Sequence, residues 1–188
     1  TGVGSELITL TGQGAVSNAN VGNKKSVTQN TLNLVSASGN ASNYDMGSIT
    51  LNITKRPVNV SLEKVYDGSL DAPASGLKVN GISNTVGGQT LTLSGVGQME
   101  DKNAGIDKII ANNNSLSLGN GSGLASNYTL TGGNNLVEVT PRTTVASGSR
   151  FYDGTTSVKG NVFGSFTNTV GTDTVTVSGT GTINSSEV

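Results

Sequence analysis

The sequence predicts an all-β chain made of tandem modules, and three observations carry that expectation. Sequence landmarks return at spacings of 83 to 86 residues. Apolar side chains alternate with Thr, Ser and Asn at period two, the signature of half-buried strands. Clusters such as Gly87-Gly88, Gly119-Asn120-Gly121 and Gly132-Gly133-Asn134 punctuate the strands and supply the positive φ that tight turns need. A module of about 85 residues with some seven short strands fits a small Ig-like β-sandwich. A β-grasp-like unit with one helix is the alternative. A β-solenoid is disfavoured, because its rungs repeat over far fewer residues.

The landmarks set the boundaries. Lys64-Val65-Tyr66-Asp67-Gly68 returns as Arg150-Phe151-Tyr152-Asp153-Gly154, 86 residues on. Ile8-Thr9-Leu10-Thr11-Gly12-Gln13-Gly14 returns as Leu91-Thr92-Leu93-Ser94-Gly95-Val96-Gly97, and again as Val175-Thr176-Val177-Ser178-Gly179-Thr180-Gly181. Asn20-Val21-Gly22 answers Asn103-Ala104-Gly105. Ala41-Ser42-Asn43-Tyr44 is repeated at Ala125-Ser126-Asn127-Tyr128, and Ile53-Thr54-Lys55-Arg56 corresponds to Val139-Thr140-Pro141-Arg142. Residues 57–142 are therefore expected to be one complete module. Residues 1–56 would be the C-terminal part of a first module and 143–188 the N-terminal part of a third, as in a fragment of a longer array.

Strand positions follow from alternation. Leu91 and Leu93, Val175 and Val177, and Ile49, Leu51 and Ile53 each alternate with polar neighbours, as do Val58 and Val60, Leu116 and Leu118, and Val137 and Val139. Their apolar side chains should share one face of a pleated strand. No window holds a sustained 3.6-residue apolar period; residues 100–110 come nearest.

Composition removes several function classes. Only 12% of residues are charged and the formal net charge is −1, so no basic patch for nucleic acid exists. No apolar run nears the roughly 20 residues that span a bilayer. The chain has no Cys and no His, which removes disulfides, thiol catalysis and the commonest general base and zinc ligand. An enzyme would have to rely on paired carboxylates, and none is evident, so the chain is expected to be non-catalytic, with no catalytic, cofactor-binding or metal residues assigned.

The remaining candidates each have a structural explanation. Tyr66-Asp67-Gly68 reads as a tight turn after a strand, its Asp bonding nearby backbone N–H groups and its Tyr ring packed inward. Glu100, Asp101 and Asp107 form the one acidic cluster; calcium there is conceivable, but Lys102 and Lys108 offset it, and ion pairing in a solvated loop is the preferred reading. Carbohydrate sites commonly stack sugars on aromatic rings, yet Tyr44, Tyr66, Tyr128 and Tyr152 all fall in landmarks. Phe151, Phe163 and Phe166 align with Val65, Val79 and Ile82, so every aromatic is expected in a core. Sequons begin at Asn40, Asn52, Asn59, Asn113, Asn120, Asn127 and Asn184, with Asn52 and Asn59 on the expected outward face.

Four landmarks in order, Val65-Tyr66-Asp67-Gly68, Asp101-Lys102-Asn103-Ala104-Gly105, Ser126-Asn127-Tyr128-Thr129-Leu130 and Val139-Thr140-Pro141-Arg142, resemble the YDG-type repeat of filamentous haemagglutinin-like bacterial surface adhesins, exoproteins of two-partner secretion. The third copy departs at Thr182-Ile183-Asn184-Ser185, and the first has Asn20-Val21-Gly22 without the Asp-Lys lead. The resemblance implies a secreted, cell-surface location and a role in cell adhesion or biofilm, with no catalytic residues to transfer. Its partners would be neighbouring repeats and an unknown host or matrix ligand, such as a polysaccharide. Neither nucleic acid nor membrane insertion by this segment is expected.

Physics then supplies a mechanism. Thr54-Lys55-Arg56-Pro57 leaves almost no free linker, and Pro57 or Pro141 fixes φ at each junction. The expectation is a semi-rigid stalk advancing about 35–45 Å per module. Direct glycan or receptor binding is the alternative.

Overall fold

The computed structural model of the chain describes residues 3–185. Its strands are short, as the frequent Gly and Asn breaks require. The first six are β1 (Ile8–Thr11), β2 (Ala15–Val16), β3 (Gly22–Thr28), β4 (Asn33–Ser36), β5 (Thr50–Ile53) and β6 (Arg56–Pro57). Then come β7 (Asn59–Val65), β8 (Asp71–Pro73), β9 (Leu77–Ser83), β10 (Leu91–Ser94), β11 (Val96–Met99), β12 (Gly105–Asn112) and β13 (Ser117–Asn120). The last are β14 (Tyr128–Thr129), β15 (Asn135–Thr140), β16 (Val145–Gly148), β17 (Ser157–Lys159), β18 (Phe163–Thr167) and β19 (Thr180–Thr182). The helical content among the described residues is single 3-10 turns, at Ala41–Asn43, Ala74–Gly76, Ala125–Asn127 and Gly160–Val162. The all-β class predicted from period-two patterning is therefore the class adopted, and among the described residues no helix is long and apolar enough to cross a membrane.

Contacts divide the chain into two compact units. One gathers Thr1–Val58, Asn84–Thr92 and Leu118–Gly133. In it β2, β3 and β5 form an antiparallel sheet, β1 pairs with β4, and β14 runs parallel to β6. Val58, Leu91, Tyr128 and Leu130 are its buried hydrophobic residues.

The other unit gathers Asn59–Ser83, Leu93–Ser117 and Asn134–Val188. Its centre is one curled six-stranded sheet in the order β8-β11-β12-β15-β7-β9. Every pairing in it is antiparallel except one: β15 lies parallel to β7, in register from Asn135 opposite Val60 to Thr140 opposite Val65. Val60, Leu62, Val137 and Val139 point to one face of this pair and are at most 1% exposed. Each such burial stabilises the fold by about 1.5–3 kcal/mol. Outside the sheet, β16 pairs with β18 and β17 with β19. An Ig-like sandwich would set two antiparallel sheets face to face, whereas this sheet is single and mixed. The one helix of the β-grasp alternative does not occur among the described residues.

Three expectations about individual residues need correction. Residues 173–178, with Val175 and Val177, form no strand. Their counterpart β10 is paired by β13, and no described residue stands beside 173–178 in that way, so alternation alone leaves Val175 39% exposed. Phe151 is 97% exposed and Tyr152 65%, so these aromatics are not in a core. Tyr66 donates its N–H to the Thr140 carbonyl, whereas no described residue gives Tyr152 that support. Asn59 is half-buried rather than outward, because its Oδ1 accepts from the Asn134 N–H where β15 begins.

Candidate functional site

Local hydrogen bonding builds each Tyr-Asp-Gly turn. Asp67 Oδ1 accepts from the Ser69 N–H at 2.9 Å and from the Ser69 hydroxyl at 2.8 Å, while Gly68 takes φ 78°. Asp153 repeats this with the Thr155 N–H and hydroxyl, and Gly154 takes φ 71°. A cation three residues earlier closes both turns: Lys64 lies 2.7 Å from Asp67, and Arg150 lies 2.7 Å from Asp153. Burial opposes ionisation of Asp67, but the Lys64 and Ser69 hydrogen bonds outweigh it and hold the pKa at about 2. A carboxylate depressed in the folded state stabilises above its unfolded pKa and loses that contribution as pH falls through the folded value. Stability should therefore decline between the ordinary Asp value of 3.8 and about 2. Urea midpoints across that window should fall less in Asp67→Asn than in the parent chain; equal declines would remove Asp67 from the account.

A second device spans the short links at residues 54–57 and 140–143. Arg56 donates from Nε to the Asn84 carbonyl at 2.7 Å and from Nη2 to Asn84 Oδ1 at 2.6 Å, and Asn84 Nδ2 donates to the Pro57 carbonyl. Arg142 and Asn168 repeat it: Nε donates to the carbonyl at 3.0 Å, Nη2 donates to Oδ1 at 2.6 Å, and Asn168 Nδ2 donates to the Thr143 carbonyl. Both asparagines sit at positive φ, 65° and 64°, a region Asn tolerates better than most residues. Each clasp thus fixes a planar guanidinium and the backbone just beyond it by three or more hydrogen bonds.

Within the second unit, Arg142 and Asn168 also wall a cavity of about 270 Å³, together with Tyr66, Asn103, Pro141 and Asp173. Tyr66 donates its hydroxyl to Asp173 Oδ2 at 2.9 Å, and that bond raises the phenol pKa above its ordinary value. The Tyr-Asp pair found here is thus a protonated phenol holding a carboxylate, an arrangement suited to fixing two segments together.

The remaining sequence candidates are dispersed. Glu100, Asp101 and Asp107 do not assemble into a metal-binding group; no such group occurs among the described residues. Asp101 instead pairs with Lys108 and accepts from the Asn103 N–H, and these bonds lower its pKa. Among the sequons, Asn40, Asn52, Asn120 and Asn127 all use Oδ1 to accept backbone N–H groups, at Ser42, Lys24, Ala125 and Val21. Asn184 is exposed, while its Ser186 lies outside the described residues.

Two arrangements escaped the sequence reading. The Tyr44 hydroxyl accepts from the Val3 N–H and donates to Glu6. Tyr128 repeats this with the Val86 N–H at 3.1 Å and Gln89 Oε1 at 2.6 Å. The Asn partners of both arginines were missed as well. The available signal was Asn84-Thr85-Val86, which returns as Asn168-Thr169-Val170 at a shift of 84.

The YDG domain family matches residues 50–135, a stretch that includes Tyr66-Asp67-Gly68 and Tyr128. Neither a curated protein nor a solved structure matches the chain.

Proposed function

We propose that the chain is a non-catalytic segment of a tandem YDG-type array, with repeat boundaries near residues 56 and 142, acting as a semi-rigid stalk in a secreted, surface-attached adhesin. The observation that carries this reading is the clasp that recurs at both links, Arg56 with Asn84 and Arg142 with Asn168. It ties the residue leaving one copy to the copy that follows. Strand topology supports the same reading. Because β7 and β15 are parallel neighbours, a chain entering at Asn59 leaves at Thr140 from the opposite end of the sheet. Copies joined by short links would therefore extend rather than double back. Neighbouring copies are the first partners of each module, and adhesion to host or matrix would be displayed by the array.

Small-angle scattering should test the clasp. The double variant Asn84→Ala, Asn168→Ala should broaden the distribution of interatomic distances while circular dichroism stays unchanged. An unaltered distribution would end the stalk reading.

Direct glycan binding is the second reading, favoured by the exposed ring of Phe151. Saturable binding on a glycan array that Phe151→Ala abolishes would put it first.

A further inference from the structure

Within the first compact unit, Asn127 is joined to residues 106 and 107 positions earlier. Its Oδ1 accepts the Val21 N–H at 2.9 Å, and its Nδ2 donates to Asn20 Oδ1 at 2.9 Å. With the copy boundary near residue 56, those partners belong to the preceding copy. The contact therefore lies away from the link that the Arg56 clasp fixes. Its polarity is set by one end. A backbone N–H only donates, so the Asn127 oxygen must face Val21, and the amide nitrogen is left facing Asn20.

Both sides of this contact are held in shape before they meet. On the receiving side, Asn18 Oδ1 accepts the Asn20 N–H at 3.1 Å. Lys25 Nζ donates at 2.7 Å to Asn18 Oδ1 and to the Asn18 and Asn20 carbonyls. On the presenting side, Asn127 closes the 3-10 turn Ala125–Asn127, whose first N–H donates to Asn120 Oδ1 at 2.8 Å. The buried Tyr128 ring, tied through its hydroxyl to Val86 and Gln89, anchors that turn. Each side also recurs. A shift of 83 carries Asn18, Asn20 and Lys25 onto Asp101, Asn103 and Lys108. There Asp101 Oδ1 accepts the Asn103 N–H at 3.0 Å and Lys108 pairs with Asp101. The turn recurs at Ala41–Asn43, beside Tyr44. Every copy thus carries one loop and one turn.

We propose that the loop at residues 18–21 is a docking surface for the Ser126-Asn127-Tyr128 turn of the following copy, selected by the Asn127 carboxamide. This rests on reading residues 57–142 as a copy of their own. The carboxamide offers an acceptor to one neighbour and a donor to the next from a single short side chain, whereas Ala offers neither and an ionised Asp no donor. The same turn leads into β14, which pairs with β6 of the link at Arg56 and Pro57. A link by itself is a pivot; a second attachment at Asn20 and Val21 opposes rotation about it. Loop and turn are different surfaces, so the contact is heterologous and can be repeated from copy to copy.

Hydrogen exchange at the Val21 amide of the full chain, read by NMR, tests the assignment. Asn127→Ala should accelerate it roughly three- to tenfold, the effect of losing one hydrogen bond, while amides of the β7–β15 pair keep the parent rate. Asn43→Ala, the same change in the other turn, should leave Val21 unaltered. Asn20→Asp preserves the acceptor that Asn127 uses, and Asn127→Asp preserves the acceptor for Val21 while the Asn20 amide turns to donate. Each single change should therefore be mild. The double Asp variant sets two carboxylates against each other and should exchange several-fold faster than either single at neutral pH. Relative to the parent, that excess should vanish at about pH 3, where Asp is largely protonated. A Val21 amide unmoved by Asn127→Ala, or Asp substitutions whose effects simply add, would overturn the proposal. Scattering from the Asn84 and Asn168 variant decides the stalk reading and exchange at Val21 decides this one, so either can fail without the other.

Discussion

Leu62→Ala should lower the free energy of unfolding by about 2–5 kcal/mol, the range for removing a buried Leu side chain and leaving part of its volume empty. Leu62 is fully buried on β7, opposite Val137 on the parallel strand β15. Six strands curl around this face, so several elements would have to move to fill the void, and little relaxation is available. Leu51→Ala is the matched comparison. Leu51 lies at the counterpart of Val137 but is 49% exposed, so truncating it leaves little cavity and should cost well under half as much. Urea unfolding of dilute protein, followed by tyrosine fluorescence and circular dichroism, would read both. Equal losses would mean that the β7–β15 pair is not the centre of the core.

The contrast between Leu62 and Leu51 also marks how far the sequence could be read. Alternation located Val58, Val60, Val137 and Val139, and all four are buried. Period two, however, reports which face of a strand is apolar and says nothing about whether another strand lies beside it. Val175 and Val177 have the same pattern as Leu91 and Leu93, yet without a partner they form no strand. Ring burial failed in the same way at Phe151, where similarity to Val65 was read as burial although Val65 is itself 53% exposed. Turn chemistry was more legible, because it is local. Asp67 and Asp153 bond two residues ahead, and the Asp-Gly pair alone is sufficient to foresee that. The clasp lay between these cases. Arg56 and Arg142 stood in a recognised landmark, but their asparagine partners lie 28 and 26 residues away, with no local rule connecting them.

Gly95→Ala should destabilise the fold by about 2–5 kcal/mol, combining the left-handed backbone penalty of about 1–2 kcal/mol with the 1–3 kcal/mol cost of forcing extra atoms into packed space. Gly95 has φ 87°, and a Cβ there would lie 2.1 Å from the Ser115 carbonyl oxygen. Ser115 cannot easily retreat: its N–H donates to the Val96 carbonyl at 3.2 Å, and its hydroxyl accepts from the Val96 N–H at 2.9 Å. Gly12 repeats the arrangement, with φ 87° and a Cβ position 2.1 Å from the Thr31 carbonyl oxygen. Gly179 has nearly the same backbone, φ 91°, but no atom of the described residues lies within 4 Å of its Cβ position. The three recurring glycines therefore separate the two costs within one protein. Gly179→Ala should incur the conformational penalty alone, near 1–2 kcal/mol, and Gly12→Ala should behave like Gly95→Ala. If all three substitutions cost the same, the positive φ would account for the glycines by itself, and the close approach of residues 31 and 115 would carry no energetic weight.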